Sequence, residues 1–262
     1  MRSIPFIVCI LVSVANAQTT KPSDEPWRPL FNGKDLAGWY PYLQGESKGS
    51  DTKQVFTLED GGVIHVHKEV ASQTTVGYLA TEAEFENYRL RFQYKWGEQR
   101  EGAKKGPHNA GLLYHLTGAD GARPSVVWPY CIQCQVKDGH TGEIVALGVS
   151  VTTTIDPSHK DMPTYKGDGE PLTTPAGAKA ETKIAPATPA DTVQGWNTVE
   201  IIVRGDGAEH IVNGKTVARL TDAKAQGAKD AMVLLDRGRI GLQAEGHEIF
   251  YRNVELCPLD AK

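Results

Sequence analysis

Cysteine is scarce in this chain, with four residues among 262. Cys9 lies in an apolar N-terminal segment, which leaves Cys131, Cys134 and Cys257 for the rest of the sequence. Three cysteines do not describe a disulfide framework, so the fold is not expected to depend on disulfide bonds.

Positive charge is also in short supply. The chain has 28 Lys and Arg residues against 32 Asp and Glu, and its formal net charge is −4. No basic patch interleaved with aromatic residues stands out, so nucleic acid is not an expected partner.

Long apolar runs are lacking after the N-terminus, so no membrane span is predicted. The first 18 residues read MRSIPFIVCILVSVANAQ, with Arg2 before an apolar core at 4–14 and small residues at 15–17. This pattern predicts a signal peptide over residues 1–17, cleaved after Ala17. The mature protein is expected to be periplasmic or secreted.

Alternation with a period of two dominates the remaining sequence. YRLRFQYKW (88–96) has five large apolar residues on one face, and NTVEIIVRG (197–205) repeats the pattern. Both predict half-buried strands. EHIVNGKTVARL (209–220) predicts a hairpin, because Asn213-Gly214 suits a type I′ turn. RIGLQAE (239–245) and EIFYRNVEL (248–256) are expected to form a further pair, joined near Gly246.

Many short strands with Gly-rich turns and no long helical period predict an all-β sandwich or jelly roll. The segment 156–195 differs, since it is rich in Pro, Gly, Ala and Thr and has little periodicity. Loops of this length are usually functional or disordered. We expect a single domain over 18–262 with this segment as a long loop.

The stretch CIQCQV (131–136) places two cysteines and two glutamines on one predicted strand. Cys134 would face the core, while Gln133 and Gln135 face away from it. Two-carboxylate glycoside hydrolysis needs acids about 5–10 Å apart, and this face offers amides instead. Amides hydrogen-bond well to sugar hydroxyls, so the strand is predicted to bind sugar.

Ionisable residues follow in KDGHTGE (137–143). Asp138-Gly139 predicts a turn, which by itself explains the aspartate. His140 can be an acid, a base or a metal ligand near neutral pH, and Glu143 can be a base or an oxygen ligand.

Aromatic and histidine residues supply further candidates. Trp128 could stack on a sugar ring or form a buried aromatic corner. In GLLYHL (111–116), one of Tyr114 and His115 is expected to line the binding face and the other the core. His65 and His67 have the spacing of paired metal ligands, but without an acid nearby in sequence they are interpreted as surface imidazoles.

Several motifs together resemble the 3-keto-disaccharide hydrolase domain family. Ala110 stands where the family has serine, and the resemblance covers about residues 28 to 258. The matching motifs, in the family's order, are LFNGKDLAGWY (30–40), VFTLEDGGVIHV (55–66), GYLATEAEFENYRLRFQYKWG (77–97), NAGLLYHLTG (109–118), GWNTVEIIVRG, HIVNGKTV and GRIGLQAEGHEIFYRNVEL.

The resemblance implies a concanavalin A-like jelly-roll sandwich of two antiparallel sheets, with sugar bound on the concave face. It also implies action on glycosides already oxidised at C3. The ketone acidifies the C2 proton, so a base can remove it, the C1 aglycone can leave by β-elimination, and water can add back. Such a site needs a base, an electrophile for the enolate oxygen and an acid for the leaving group. A divalent cation could be the electrophile.

This chain departs from the family at two further positions. Many relatives read Glu-x-Gln where it has Gln133-Cys134-Gln135, and many have a histidine near the position of Glu245. We hypothesise that the catalytic cluster is His140, Glu143 and Glu245. The residues expected to contact substrate are Gln133, Gln135, Trp128, Asp138, and Tyr114 or His115.

Three functions remain open. The preferred one is an exported enzyme that cleaves 3-keto-glycosides or 3-keto-disaccharides by elimination and hydration. The second is a non-catalytic carbohydrate-binding domain of the same fold, and the third is a structural interaction module that uses the 156–195 segment. Turnover of a 3-keto-disaccharide separates the first from the others.

Overall fold

The computed structural model describes residues 26–98, 100–124, 126–192, 194–227 and 231–260. The predicted signal peptide, residues 1–17, lies outside them. Within this part of the chain no helix is long and apolar enough to cross a bilayer. Apart from one short 3₁₀-helix (Val70–Thr74), the regular elements are the strands β1 (Arg28–Pro29), β2 (Trp39–Leu43), β3 (Phe56–Glu59), β4 (Val63–Val66), β5 (Gly77–Thr81), β6 (Tyr88–Trp96), β7 (Asn109–Thr117), β8 (Tyr130–Lys137), β9 (Ile144–Leu147), β10 (Ser150–Ile155), β11 (Glu170–Thr173), β12 (Glu181–Ile184), β13 (Asn197–Arg204), β14 (Gly207–Val212), β15 (Lys215–Gln226), β16 (Met232–Leu234), β17 (Arg239–Ala244) and β18 (Ile249–Pro258).

The strands form two antiparallel sheets. The larger sheet has the spatial order β11-β10-β15-β14-β13-β6-β18-β4-β3, with β1 added beside β18 and β16 beside β15. The smaller sheet has the order β12-β9-β8-β7-β17-β5-β2. This architecture confirms the prediction of an all-β sandwich of two antiparallel sheets.

One apolar layer joins the inner faces of the sheets. Strand β6 alternates buried and half-buried residues along its whole length, as its sequence predicts. Strand β8 contributes Ile132, Cys134 and Val136 to the same buried cluster. Burying each large apolar side chain contributes about 1.5–3 kcal/mol, so this layer provides most of the driving force for folding. The glutamines of β8 therefore face outward.

The two predicted strand pairs have different outcomes. β14 and β15 form the expected hairpin, with positive φ at Asn213 (48°) and Gly214 (79°). β17 and β18, by contrast, do not pair, because β17 belongs to the smaller sheet and β18 to the larger one. Residues 245–248 cross between the sheets. Gly246 is required in this corner, since its φ is +86° and a Cβ would lie 2.8 Å from the Gln73 carbonyl oxygen.

The 156–195 segment is not the structureless loop that its composition predicts. It contains β11, which pairs with β10, and β12, which pairs with β9. The insertion therefore adds one edge strand to each sheet. Both strands are short and mostly exposed, so they need no alternating apolar residues to stay folded.

A buried hydrogen-bonded chain links three parts of the sandwich. The Tyr114 hydroxyl on β7 donates to His210 Nε2 on β14 (2.9 Å), and His210 Nδ1 donates to the Gly142 carbonyl (2.8 Å). Burial lowers the pKa of His210 to about 4, so the neutral ring has one donor and one acceptor, and both are used. This chain holds the turn between β8 and β9 against the core.

We expect Tyr114→Phe to lower the free energy of unfolding by about 1–3 kcal/mol, because it leaves His210 Nε2 buried without a donor. Urea unfolding at neutral pH measures the change. Tyr88→Phe is the matched control, since the buried Tyr88 hydroxyl has no hydrogen-bond partner among the described residues. Equal losses in the two variants would contradict a stabilising Tyr114–His210 bond.

Candidate active site

The outer face of the smaller sheet carries a group of amide side chains at its centre. Gln133 and Gln135 point outward from β8, and Gln135 lies opposite Gly111 of β7. Gln243 points outward from β17, two residues before Glu245. All three glutamines are almost completely covered, so their amide groups need partners within the protein.

These amides form one hydrogen-bond network that ends on a carboxylate. Gln133 Nε2 donates to Gln135 Oε1 and to Gln243 Oε1, the latter at 3.1 Å. Gln135 Nε2 donates to Asn109 Oδ1 (3.0 Å), and Asn109 Nδ2 donates to Glu245 Oε2 (2.5 Å). Because each amide receives or gives a bond at a defined atom, the orientation of every group in the row is fixed.

Gly111 makes room for this network. A Cβ at this position would lie 2.6 Å from Gln133 Nε2 and 2.9 Å from its Cγ. The missing side chain on β7 therefore allows the Gln133 side chain to lie across the neighbouring strand and reach Gln243.

A partly open cleft lies over the amide row. The half-buried Trp128 lies along it, together with the apolar side chains of Val145 and Leu147. Glu181 and Lys183, which are supplied by β12 of the insertion, line its far edge. The remaining lining residues are Asn109, Gln133, Gln135, Gln243 and Glu245. An apolar wall facing convergent polar groups is typical of a small-molecule site.

Glu245 is a partly buried carboxylate of the cleft. Burial raises its pKa, and the positive charges of Lys104 and Lys183 act in the opposite direction. Lys104 also donates from Nζ to the Glu245 backbone carbonyl (2.7 Å), which fixes the chain where it crosses between the sheets. A carboxylate with a raised pKa is a better proton acceptor than an exposed one.

His140 and Glu143 contact each other but lie apart from Glu245. His140 Nδ1 is 3.3 Å from Glu143 Oε2, and the Glu143 side chain is only 1% exposed. Burial raises the pKa of Glu143, while the charge of His140 lowers it. Strands β8 and β7 separate β9 from β17, roughly 14 Å at ~4.8 Å per strand. Of the three residues of the hypothesised cluster, only Glu245 lines the cleft.

The other predicted contact residues are scattered. Trp128 lines the cleft, whereas Asp138 accepts hydrogen bonds from His108, at 3.0 Å from the backbone N–H and 2.9 Å from Nδ1. Tyr114 belongs to the core, and His115 is buried in a β-bulge at φ +53°. Burial lowers the pKa of His115 to about 4. Tyr114 keeps the alternation that places Leu112 in the core, whereas His115 lies in the bulge, so neither residue lines the cleft.

The interpretation of His65 and His67 as surface imidazoles is wrong, because both are buried. His65 lies between two carboxylates, Glu59 six residues earlier and Glu248 far along the chain, each 2.7 Å from one ring nitrogen. His67 Nε2 accepts the Gly246 N–H (3.0 Å). Among the described residues, no group of three or more His, Cys, Asp or Glu side chains could hold a metal ion. We derive no step through a metal.

Sequence reasoning missed several residues of the cleft: Asn109, Gln243, Glu181 and Lys183. A signal for one of them was available, since Gln243 and Glu245 are two apart in LQAE and share a face by alternation. Asn109 stands at the start of a strand, and β12 has no apolar alternation that would indicate which face its charged residues occupy.

We expect Gly111→Ala to weaken sugar binding while the fold is retained. The new methyl group would push the Gln133 side chain out of the network. The fold should be retained because the end of this side chain is flexible enough to move. Gly241→Ala on β17 is the matched control, because a Cβ there meets Leu113 at an ordinary 3.5 Å. Calorimetric titration with a glycoside checks binding, and equal affinities of the two variants would show that the network does not shape the site.

Comparisons with known proteins agree with the sandwich fold. Two crystal structures of proposed glycosyl hydrolases from Parabacteroides distasonis ATCC 8503 are similar to this chain. One is 21% identical with a TM-score of 0.50 and covers 89% of this chain and 94% of its own. The other is 18% identical with a TM-score of 0.50 and covers 89% and 100%. At these identities the likeness shows the fold alone, which confirms the concanavalin A-like jelly roll predicted from the sequence.

None of the curated proteins is similar enough to this sequence to count as a match. A family model described as the 3-keto-alpha-glucoside-1,2-lyase-like domain matches residues 26–257, a range that includes every lining residue of the cleft. The chain belongs to this 3-keto-alpha-glucoside-1,2-lyase-like family of carbohydrate-active domains.

Proposed function

We propose that the protein cleaves glycosides that carry a ketone at C3, by removing the C2 proton and expelling the C1 aglycone. Family membership supports the substrate class. The observation that carries the proposal is the amide network that ends on the partly buried Glu245 carboxylate in the cleft. Export by the N-terminal segment stays a prediction.

Glu245 has the features of a general base. Its Oε2 accepts the Asn109 amide, whereas Oε1 has no hydrogen-bond partner among the described residues. One oxygen is therefore held in place and the other is available for a proton. Its raised pKa brings the carboxylate nearer to the basicity that abstraction beside a ketone requires.

The amides and Trp128 suit the recognition of the sugar ring. Gln133 Oε1 and Gln243 Nε2 make no bond within the network, which leaves one acceptor and one donor near the centre of the cleft. These groups can hydrogen-bond ring hydroxyls. Trp128 offers an apolar surface against which a pyranose can pack.

Glu245 also accounts for the departure at Gln133. Where many relatives have an acid at that position, this chain has an amide, and its cleft acid is supplied three hydrogen bonds away at the corner after β17. Elimination beside a ketone needs one base rather than a pair of carboxylates. The substitution at Gln133 is therefore compatible with catalysis.

A non-catalytic carbohydrate-binding role is the alternative, favoured by the predominance of amides over acids on the face of the cleft. The His140–Glu143 pair does not decide between the two functions, because Glu143 is covered and does not line the cleft. Binding of a glycoside without turnover of its 3-keto form would support this alternative.

Glu245→Gln should lower kcat for a 3-keto-glucoside by about 10²–10⁴, the usual contribution of a general base. Released aglycone is measured against Glu209→Gln, a control on the larger sheet. In D₂O, the wild-type protein should place deuterium at C2 of the sugar product, above the exchange seen without enzyme. Unlabelled product would show direct hydrolysis and contradict the elimination.

The pH dependence of kcat/KM should report the same carboxylate. Glu245 acts ionised, and its raised pKa moves protonation above the ordinary value of 4.5. Activity should therefore fall as the pH drops through a value above 4.5. This acidic limb should disappear from the residual activity of Glu245→Gln, and its persistence there would exclude Glu245 as the titrating base.

A further inference from the structure

Lys183 is the only cation among the described residues that line the cleft. It lies on β12, within the insertion whose sequence predicts a loop. In the sheet, Lys183 pairs with Val145 of β9, and Val145 pairs with Gln133 of β8. This register places the lysine on the same face as the glutamines.

Stability does not explain the charged pair on β12. Lys183 Nζ lies 3.2 Å from Glu181 Oε1, and the two side chains are 49% and 43% exposed. Exposed ion pairs of this kind contribute about 0–1 kcal/mol. The pair keeps an ammonium group at the edge of the cleft without burying it, so the group remains able to move onto a ligand.

The positive charge of Lys183 acts on two carboxylates of this sheet. It lowers the pKa of Glu245 and also that of Glu143, against the larger effect of burial on each. The backbones of β12 and β17 are four strand spacings apart, roughly 19 Å at ~4.8 Å each. The side chains of Lys183 and Glu245 nevertheless line the same cleft, from opposite ends.

We propose that Lys183 is the electrophile of the reaction, donating a hydrogen bond from its ammonium group to the C3 oxygen of the substrate. The inference rests on the proposed function. As Glu245 takes the C2 proton, the C2–H electron pair forms C2=C3, and the negative charge develops on the C3 oxygen beside the ammonium. The C3 carbonyl then re-forms, the C2=C3 pair shifts to form C1=C2, the C1–O bond breaks, and the aglycone oxygen takes the proton that Glu245 removed.

The proposed role of Lys183 is electrostatic rather than covalent. Imine formation with the ketone requires a neutral amine, and desolvation is a usual way of producing one. Lys183 instead lies half exposed beside a carboxylate. An ammonium aimed at the oxygen where charge develops stabilises the transition state more than the ground state.

Lys183→Gln in the full chain should lower kcat about 10²–10³-fold, the usual cost of losing one donor to a developing oxyanion, with little change in KM. Lys183→Arg keeps a cation and should recover most of the rate. The matched control is Lys166→Gln, which removes an exposed lysine of the same insertion that lies 3.6 Å from Asp156. Release of aglycone from a 3-keto-glucoside is the measurement.

The outcomes separate this inference from the function on which it rests. Unchanged kcat in Lys183→Gln, or a change in KM alone, would overturn the role of Lys183 while leaving the proposed function intact. Absence of both turnover and C2 exchange in the wild-type protein would instead remove the proposed function. Trapping of a sugar on Lys183 by cyanoborohydride would also overturn the inference, because it would show imine chemistry.

Discussion

The two sheets pack through one continuous layer of apolar side chains, and the polar cleft owes its position to that packing. Because successive residues of a strand point to opposite faces, sending Ile132, Cys134 and Val136 into the core sends Gln133 and Gln135 out. The same rule acts on β17, where Ile240, Leu242 and Ala244 are core residues and Gln243 is not. Neighbouring strands in register then align their outward amides. The packing of the core therefore determines which polar side chains form the cleft.

Outward amides that are nearly covered create a constraint of their own. An unpaired buried amide is costly, so each glutamine must find a partner on the sheet. Gly111 allows this by leaving space beside Gln133, and Asn109 connects the row to Glu245. The result is a rigid surface on which few polar atoms remain available for a ligand. Such preorganisation reduces the entropy lost when a sugar binds.

The sequence predicts which face of a strand is buried better than it predicts which strands pair with each other. Alternation correctly assigns both faces of β8, and Asn213-Gly214 correctly marks a hairpin, since both signals are local. The separation of β17 from β18 depends on which sheet each strand joins, and local pattern carries no information on that. The bulge at His115 breaks the alternation that would have placed this histidine on the face of the cleft, whereas Tyr114 keeps it. The strands of the insertion are exposed edges without apolar alternation, so Lys183 could not be placed beside the cleft from sequence.

The charged groups of the cleft come from the two parts of the chain whose structure is hardest to predict from the sequence. Glu245 stands where the chain crosses between sheets, and Lys183 stands on an inserted edge strand, while the regular strands between them supply amides. This division suits a substrate that arrives already oxidised. A ketone at C3 acidifies the C2 proton, so the aglycone can leave by elimination without the two carboxylates that a glycosidase uses. One base and one opposite charge, held apart by a neutral and rigid floor, are then sufficient. In the proposed elimination the amides at the centre need only position the sugar, so the reaction does not require an acid at position 133.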